Sequence, residues 1–414
     1  MLMGRMASLI RTPPFRLLLS AAAMSNLADG IAALALPWIA SLITRDATLI
    51  ALVAFSSRLP WFLFAIPAGV MTDRADRRLL MVRADLVRLA LSLGVLWMAA
   101  TLTQDVAATP VIATLSLLAF GLGCAEVLRD NAAQTVLPSI IGKDDLERAN
   151  GQLWTVEQIM GAFVGPPLAG MLIVWSAPAP FALNALGFAM AAVLIWRLRI
   201  PPRAPVQRRP VLTEMRDGWE WMRAHPSILR LAVMLGFLNA VVMMALTILV
   251  LFSQDVLSLG AAGYGMLMTA SAAGGVAGGI FGPGLVARLG ARGAVRLALL
   301  LFPVPFVAIA LTSSVWVVAA ALFTEMFAGL IWNIVTVSYR QRRIPDHLLG
   351  RVNSLYRFFG WGMMPIGALA GGWIVALAEP HLGRVLALRV PYAVAAIDCA
   401  ALAVYGWLRL RLPR

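Results

Sequence analysis

Eight ionisable residues interrupt long apolar runs of this sequence: Asp29, Arg58, Glu126, Arg129, Asp130, Glu157, Glu325 and Asp398. Near the centre of a bilayer each would cost ~2.5–3.5 kcal/mol, so they must pair with one another or line a polar cavity. Asp29 and Glu325 fall near the middle of their runs. Glu126 and Asp130 are four residues apart, which puts both carboxylates on one helix face with Arg129 beside them. Two close carboxylates cannot both ionise cheaply, and burial adds to that cost. Such a pair can load and release a proton near neutral pH, which is the chemistry a proton-coupled carrier needs. A static salt bridge from Arg58 or Arg129 to one of the acids is the structural alternative. Asp29, Arg58, Glu126, Arg129, Asp130 and Glu325 are therefore the proton- or substrate-binding candidates, while Glu157 and Asp398 read as structural.

Other chemistries find no support. Cys124 and Cys399 sit inside apolar runs, and His225, His347 and His381 lie far apart in loop-like segments. No nucleophile–base pair, metal-ligand spacing or cofactor motif stands out, so neither an enzyme, a metal site nor a bound cofactor is expected.

The elements that position these charges follow from composition. Of 414 residues, 61% are hydrophobic and only 13% charged, with a mean hydropathy of +0.83. No water-soluble fold hides that much apolar surface. Twelve apolar windows lie at about 15–43, 48–71, 80–101, 109–137, 151–175, 179–198, 228–253, 261–287, 293–312, 315–339, 354–378 and 388–408. Their length and lack of strict alternation predict membrane helices rather than a barrel. The first window exceeds the apolar core of a signal peptide and carries Asp29, so it reads as the first span.

The net charge of +14 could suggest nucleic-acid binding, but its distribution argues for membrane orientation. With the N-terminus in the cytoplasm, basic clusters fall on the inner side, among them Arg74, Arg77, Arg78, Arg83 and Arg88. Only Arg45, Arg384 and Arg389 fall in outer loops, and Arg58 lies within a span. Both termini are thus expected inside, and no nucleic-acid partner is expected.

The longest connection begins with Pro201, Pro202, Pro205 and Pro210 and continues through Trp219, Trp221 and Met222, the pattern of an amphipathic helix at the bilayer surface. It separates residues 1–200 from 228–414, with 201–227 as a cytoplasmic linker. The halves echo one another. Pro138 to Arg148-Ala-Asn150 matches Pro345 to Arg351-Val-Asn353, and Leu168-Ala-Gly170 matches Leu369-Ala-Gly371. Parallel six-helix repeats of this kind build one large class of carriers.

Two motifs sharpen the picture. Gly69-Val-Met-Thr-Asp73-Arg74-Ala-Asp76-Arg77-Arg78 resembles the Gly-x-x-x-Asp-Arg-x-x-Arg-Arg signature of the major facilitator superfamily. Gly69 permits close helix approach, and Asp73 can bond a helix end or an arginine, so Gly69, Asp73, Arg74, Arg77 and Arg78 form a candidate cytoplasmic latch. Simple positive-inside anchoring would explain the arginines alone. Gly161-Ala-Phe-Val-Gly165-Pro166-Pro167-Leu-Ala-Gly170 resembles the antiporter motif, with Ala169 in place of one glycine. The candidates there are Gly161, Gly165, Pro166 and Gly170. In that family the fifth span faces the eighth, here bearing Gly274, Gly278 and Gly282, across the two halves. A smooth rocking interface is the functional reading and ordinary tight packing the structural one.

Most of the chain resembles the branch that holds enterobactin exporters and macrolide efflux proteins, the transmembrane secretion effector group. The residues that carry this are Leu59-Pro60-Trp61, Pro67 to Arg78, Leu137 to Asn150, Gly218 to Pro226, Tyr339 to Ser354 and Gly360 to Gly372. The resemblance implies an all-α membrane protein of twelve transmembrane helices in two pseudo-symmetric six-helix bundles. It implies a monomer in the inner (plasma) membrane that exports a small organic molecule, drug- or siderophore-like, by alternating access in exchange for protons. An importer, or a non-transporting membrane sensor, is the rival reading.

Overall fold

The computed structural model describes residues 12–101, 107–142, 145–200 and 211–410, and among them every regular element is helical. Local sequence explains the boundaries. α1 (Pro13–Ile43) opens on two prolines, whose missing N–H groups cost nothing in a first turn. α2 (Ala47–Arg74) is capped by Asp46, whose Oδ1 accepts the Thr48 and Leu49 N–H groups at 2.7 and 3.3 Å. Asp76 does the same for α3 (Arg77–Thr101), accepting the Leu79 N–H at 3.1 Å. α4 (Ala108–Ile140) follows. α5 (Leu146–Glu157) then runs through a π-helical segment, Gln158–Val164, into α6 (Gly165–Trp175). Pro166 and Pro167 offer no N–H to the preceding turn, so the carbonyls there take partners one residue further along. α7 (Ala179–Trp196) ends this part of the chain.

The remainder comprises α8 (Val211–Ala224), α9 (Pro226–Asp255), α10 (Ala261–Leu301), α11 (Pro303–Leu311), α12 (Val315–Arg343), α13 (Asp346–Gly362), α14 (Met364–Leu382), α15 (Arg384–Ala387) and α16 (Val390–Arg409). Among the described residues, ten helical stretches are long and apolar enough to cross a membrane. One of them, Ala261–Leu311, runs 51 residues, well beyond the ~20 that one crossing needs. It is broken at Gly290, whose φ of 70° and ψ of 167° suit only a residue without a Cβ. α3, which carries Arg83, Asp85 and Arg88, is not among the ten. Trp175 and Trp316, near helix ends, are 82% and 84% exposed, as aromatic residues at a lipid–water boundary are.

The chain divides into two compact units. The first holds Met1–Ile43 and Ser56–Gln207, the second Thr44–Phe55 and Arg208–Arg414. In the first, α1 packs on α4, α6 and α7, and α3 packs on α4 and α7. In the second, α10 and α12 make the broadest contact, α9 packs on α13 and α14, and α11 packs on α16.

Small residues set these crossings. A Cβ added to Gly165 would stand 2.7 Å from the Gly30 backbone, and one on Gly30 would strike the Gly161 carbonyl. Of the Gly161, Gly165, Pro166 and Gly170 stripe, Gly161 and Gly165 therefore bring the fifth span against α1 of its own unit. In the second unit Gly274 meets the Phe323 carbonyl, and a Cβ on Gly278 would lie 2.7 Å from Leu330 Cβ. In both places the close packing is inside a unit.

The amphipathic α8 is docked rather than loose. Asp217 pairs with Arg351 of α13 at 2.8 Å, Trp219 stacks on Phe359, and Met222 is fully buried. The residues Pro201 to Pro210 lie outside those described. The two Arg-x-Asn copies differ in use, since Arg148 pairs locally with Asp145 whereas Arg351 reaches α8.

These crossings are testable by adding one methyl group. Gly165→Ala forces a methyl into the Gly30 backbone and is expected to lower the melting midpoint of the purified protein, through an overpacking cost of about 1–3 kcal/mol. Gly279→Ala, whose Cβ meets nothing within 4 Å, is expected to leave the midpoint unchanged or slightly raised.

Candidate functional site

Within the first unit the intramembrane charges converge on one fully buried carboxylate. Asp85 of α3 has no exposed surface, and neither of its oxygens has a hydrogen-bond donor. Two guanidinium groups flank it. Arg88 Nη1 stands 3.7 Å from Asp85 Oδ1 and Arg129 Nε 3.6 Å from the same atom. Each arginine also holds a second carboxylate. Arg88 pairs directly with Asp29 of α1, while Arg129 of α4 lies 3.4 Å from Asp130.

The surroundings fix the two arginines. Arg88 Nη1 donates to Ser25 Oγ at 2.8 Å, and its guanidinium carbon sits 4.0 Å above the centre of the Phe188 ring from α7. Arg129 donates to the Ala21 carbonyl at 3.3 Å. Asn184 of α7 donates to the Ala28 carbonyl and accepts from Ser92, so α1, α3 and α7 are tied beside the cluster. Arg88 is 1% exposed, whereas Asp29 and Asp130, at 30% and 36%, are the two acids at the edge of the cluster.

Charge balance is the chemical content of this arrangement. Asp29, Asp85 and Asp130 face Arg88 and Arg129, three acids to two bases. One bound proton makes the set neutral, and losing it leaves an uncompensated charge where charge is expensive. Next to the cluster, Glu126 is faced by Arg58 and accepts a hydrogen bond from Trp61. It is also within electrostatic reach of Asp130 and Arg88, and Glu157 is within reach of Asp130 and Glu126. The structure thus gathers Asp29, Arg58, Glu126, Arg129 and Asp130 into one neighbourhood.

Glu325 belongs to the second unit and has a different setting. It is 7% exposed on α12 and lines a cavity with room for a single water, about 10 Å³, walled by Val242, Leu246, Phe306 and Ile309. Among the described residues it has no ion pair and no hydrogen bond. Tyr392, also in the wall, spends its hydroxyl on the Ala245 carbonyl at 3.1 Å. Asp398 is exposed on α16.

Of the proposed latch, the side chains of Gly69, Asp73 and Arg74 lie outside those described. Arg77 donates to the Thr135 carbonyl near the end of α4 at 2.8 Å, and Arg78 reaches the Trp196 and Leu198 carbonyls past α7. Both arginines therefore hold helix C-termini, where a cation offsets the end of the helix dipole.

The sequence reading placed Arg88 with the cytoplasmic basic residues and passed over Asp85. The structure corrects this. Arg88 lies eleven residues into α3, about 16 Å along the helix axis, and it is buried. The i,i+3 spacing of Asp85 and Arg88 on an otherwise apolar stretch was the available signal.

Solved structures that share this fold include transporters. The chain matches a nucleoside transporter, NupG, with a TM-score of 0.76 at 13% identity, covering 95% of this chain and 100% of that one. It matches a bacterial homologue of the iron transporter ferroportin with a TM-score of 0.73 at 16% identity, covering 94% and 98%. The fold is shared with these transporters, and together with the family match over residues 5–413 it defines a major facilitator transporter and not an enzyme. Within that class, a family model described as transmembrane secretion effector matches residues 5–413, and the chain belongs to that family. Relatives include the enterobactin exporter EntS of Shigella boydii serotype 4 (strain Sb227), 24% identical over 390 residues, which cover 90% of this chain and 88% of that exporter. EntS of Escherichia coli O1:K1 / APEC is 24% identical over 388 residues with the same coverage.

The cluster makes a sharp stability prediction. Arg88→Gln strands Asp29 and leaves Asp85 with Arg129 alone, an effect of about 3–5 kcal/mol for a broken buried pair. The expected readout is a marked fall in the melting midpoint of the detergent-solubilised protein. Adding Asp29→Asn to Arg88→Gln is expected to restore part of it, because the double variant removes one charge of each sign.

Proposed function

We propose that this transporter exports a small organic molecule, drug- or siderophore-like, across the inner membrane by alternating access and in exchange for protons. The observation that carries the proton coupling is the excess of acid over base around Asp85, with Asp29 and Asp130 as the partly exposed carboxyls and Asp29 the one bound directly to Arg88. Arg88 binds Asp29 when that carboxyl is ionised and is released to Asp85 when it is protonated. Glu325, alone in its apolar cavity, is a second carboxyl able to carry a proton. Arg58, Glu126, Arg129 and Asp130 complete the proton- or substrate-binding set. The exporters among the relatives support the direction.

Counting α3 as a span and dividing the 51-residue stretch at Gly290 gives twelve crossings. These form two six-helix bundles, residues 1–200 and 228–414, joined by the cytoplasmic linker 201–227. The basic residues put both termini in the cytoplasm. Asp73 and its arginine neighbours latch the cytoplasmic side in one state of the cycle. The protein works as a monomer, with no cofactor.

Accumulation of a panel of dyes, macrolides and siderophores in pump-deficient cells tests this reading. Expression is expected to lower accumulation of at least one compound. A protonophore, or Asp29→Asn at equal membrane abundance, is expected to return it to the level of cells without the protein. Raised accumulation on expression would overturn export in favour of import. Export that survives both the protonophore and Asp29→Asn would overturn proton antiport through Asp29.

A further inference from the structure

The second unit carries a basic cavity that the transport reading does not use. It has a volume of about 380 Å³ and lies between α10 and α12. One side is apolar, formed by Val286, Ile334 and Val335, and the other presents Tyr339, Arg342 and Arg343. Both arginines are exposed, and no carboxylate is among the described lining residues. Arg343 lies over the Tyr339 ring at 6.0 Å. Beside the cavity, the left-handed turn at Gly290 carries Arg292, whose buried Nε has no hydrogen-bond partner.

We propose that this cavity binds one anionic phospholipid, its phosphate held by Arg342 and Arg343 and an acyl chain lying on the apolar wall. Three observations favour lipid over a soluble anion. The first is depth: Arg342 stands 27 residues beyond the start of α12, about 40 Å along its axis. A hydrocarbon core is about 30 Å thick, so the arginines reach the headgroup layer. The second is the two-sided lining, since a free phosphate would leave Val286, Ile334 and Val335 uncovered. The third is charge, because paired guanidinium groups bind phosphate oxygens in a bidentate manner, and basic pockets between membrane helices are suited to acidic headgroups. The orientation proposed above makes this a lipid of the cytoplasmic leaflet; binding itself does not depend on the direction or coupling of transport.

The test uses the purified full-length chain in mixed micelles of detergent with phosphatidylglycerol or with phosphatidylcholine. Melting midpoints are measured in each, and the phospholipid that copurifies is quantified by mass spectrometry. Phosphatidylglycerol is expected to raise the midpoint above that in phosphatidylcholine and to copurify in preference to it. The Arg342→Gln/Arg343→Gln variant is expected to lose both effects while keeping the wild-type midpoint in phosphatidylcholine. Arg197→Gln/Arg199→Gln, which removes the same charge elsewhere, is expected to keep both. An equal rise with phosphatidylcholine, no rise at all, or an undiminished rise in the Arg342→Gln/Arg343→Gln variant would overturn the proposal. A matching rise with inorganic phosphate alone would overturn the lipid assignment in favour of a free-anion site.

Discussion

A charge inside a bilayer protein must be compensated where it stands, and in this molecule that requirement centres on Asp85. The carboxylate is fully buried, accepts no hydrogen bond and stands 3.6–3.7 Å from the guanidinium groups of Arg88 and Arg129. Each arginine is then shared with an acid on another position, Asp29 on α1 or Asp130 on α4. Three helices are bound through one set of charges in which the acids outnumber the bases by three to two. A structure with equal numbers of acids and bases would be a plain salt-bridge network. The surplus acid is what the proposed proton exchange rests on.

Close backbone packing is what allows such short polar reach. Gly30 and Gly165 let α1 and the fifth span approach to van der Waals contact, and the π-helical turn before Pro166 absorbs the two missing N–H donors without a break in the helix. The glycine stripe that resembles an antiporter signature thus has a definite local task. It sets the position of α1, and with it the positions of Asp29 and of the Ala21 carbonyl that receives Arg129.

Much of this was legible in the residues alone. Apolar run lengths predicted an all-helical membrane protein, and the i,i+4 spacing of Glu126 and Asp130 predicted a shared face beside Arg129. Asp29 stood out because a lone acid in an apolar run demands a partner. The partner did not stand out, because Arg88 follows several loop arginines and a rule based on proximity assigns it to the surface. Only depth along α3 separates it from Arg78, whose role is to hold helix ends. Pairings such as Gly165 with Gly30, or Asp217 with Arg351, depend on which helices become neighbours, and no local pattern encodes that. The docking of α8 is of the same kind: its amphipathic face was readable, but its partner α13 was not.

The most direct measurement of the central claim is infrared difference spectroscopy of the protonated-carboxyl band as the purified protein is taken from acidic to alkaline buffer. A titrating band is expected in the wild-type protein, with one component missing in Asp29→Asn and a separate component missing in Glu325→Gln. A band that titrates identically in wild type and Asp29→Asn would contradict that claim, and would reduce the Asp29–Arg88–Asp85–Arg129 cluster to a permanent structural clamp.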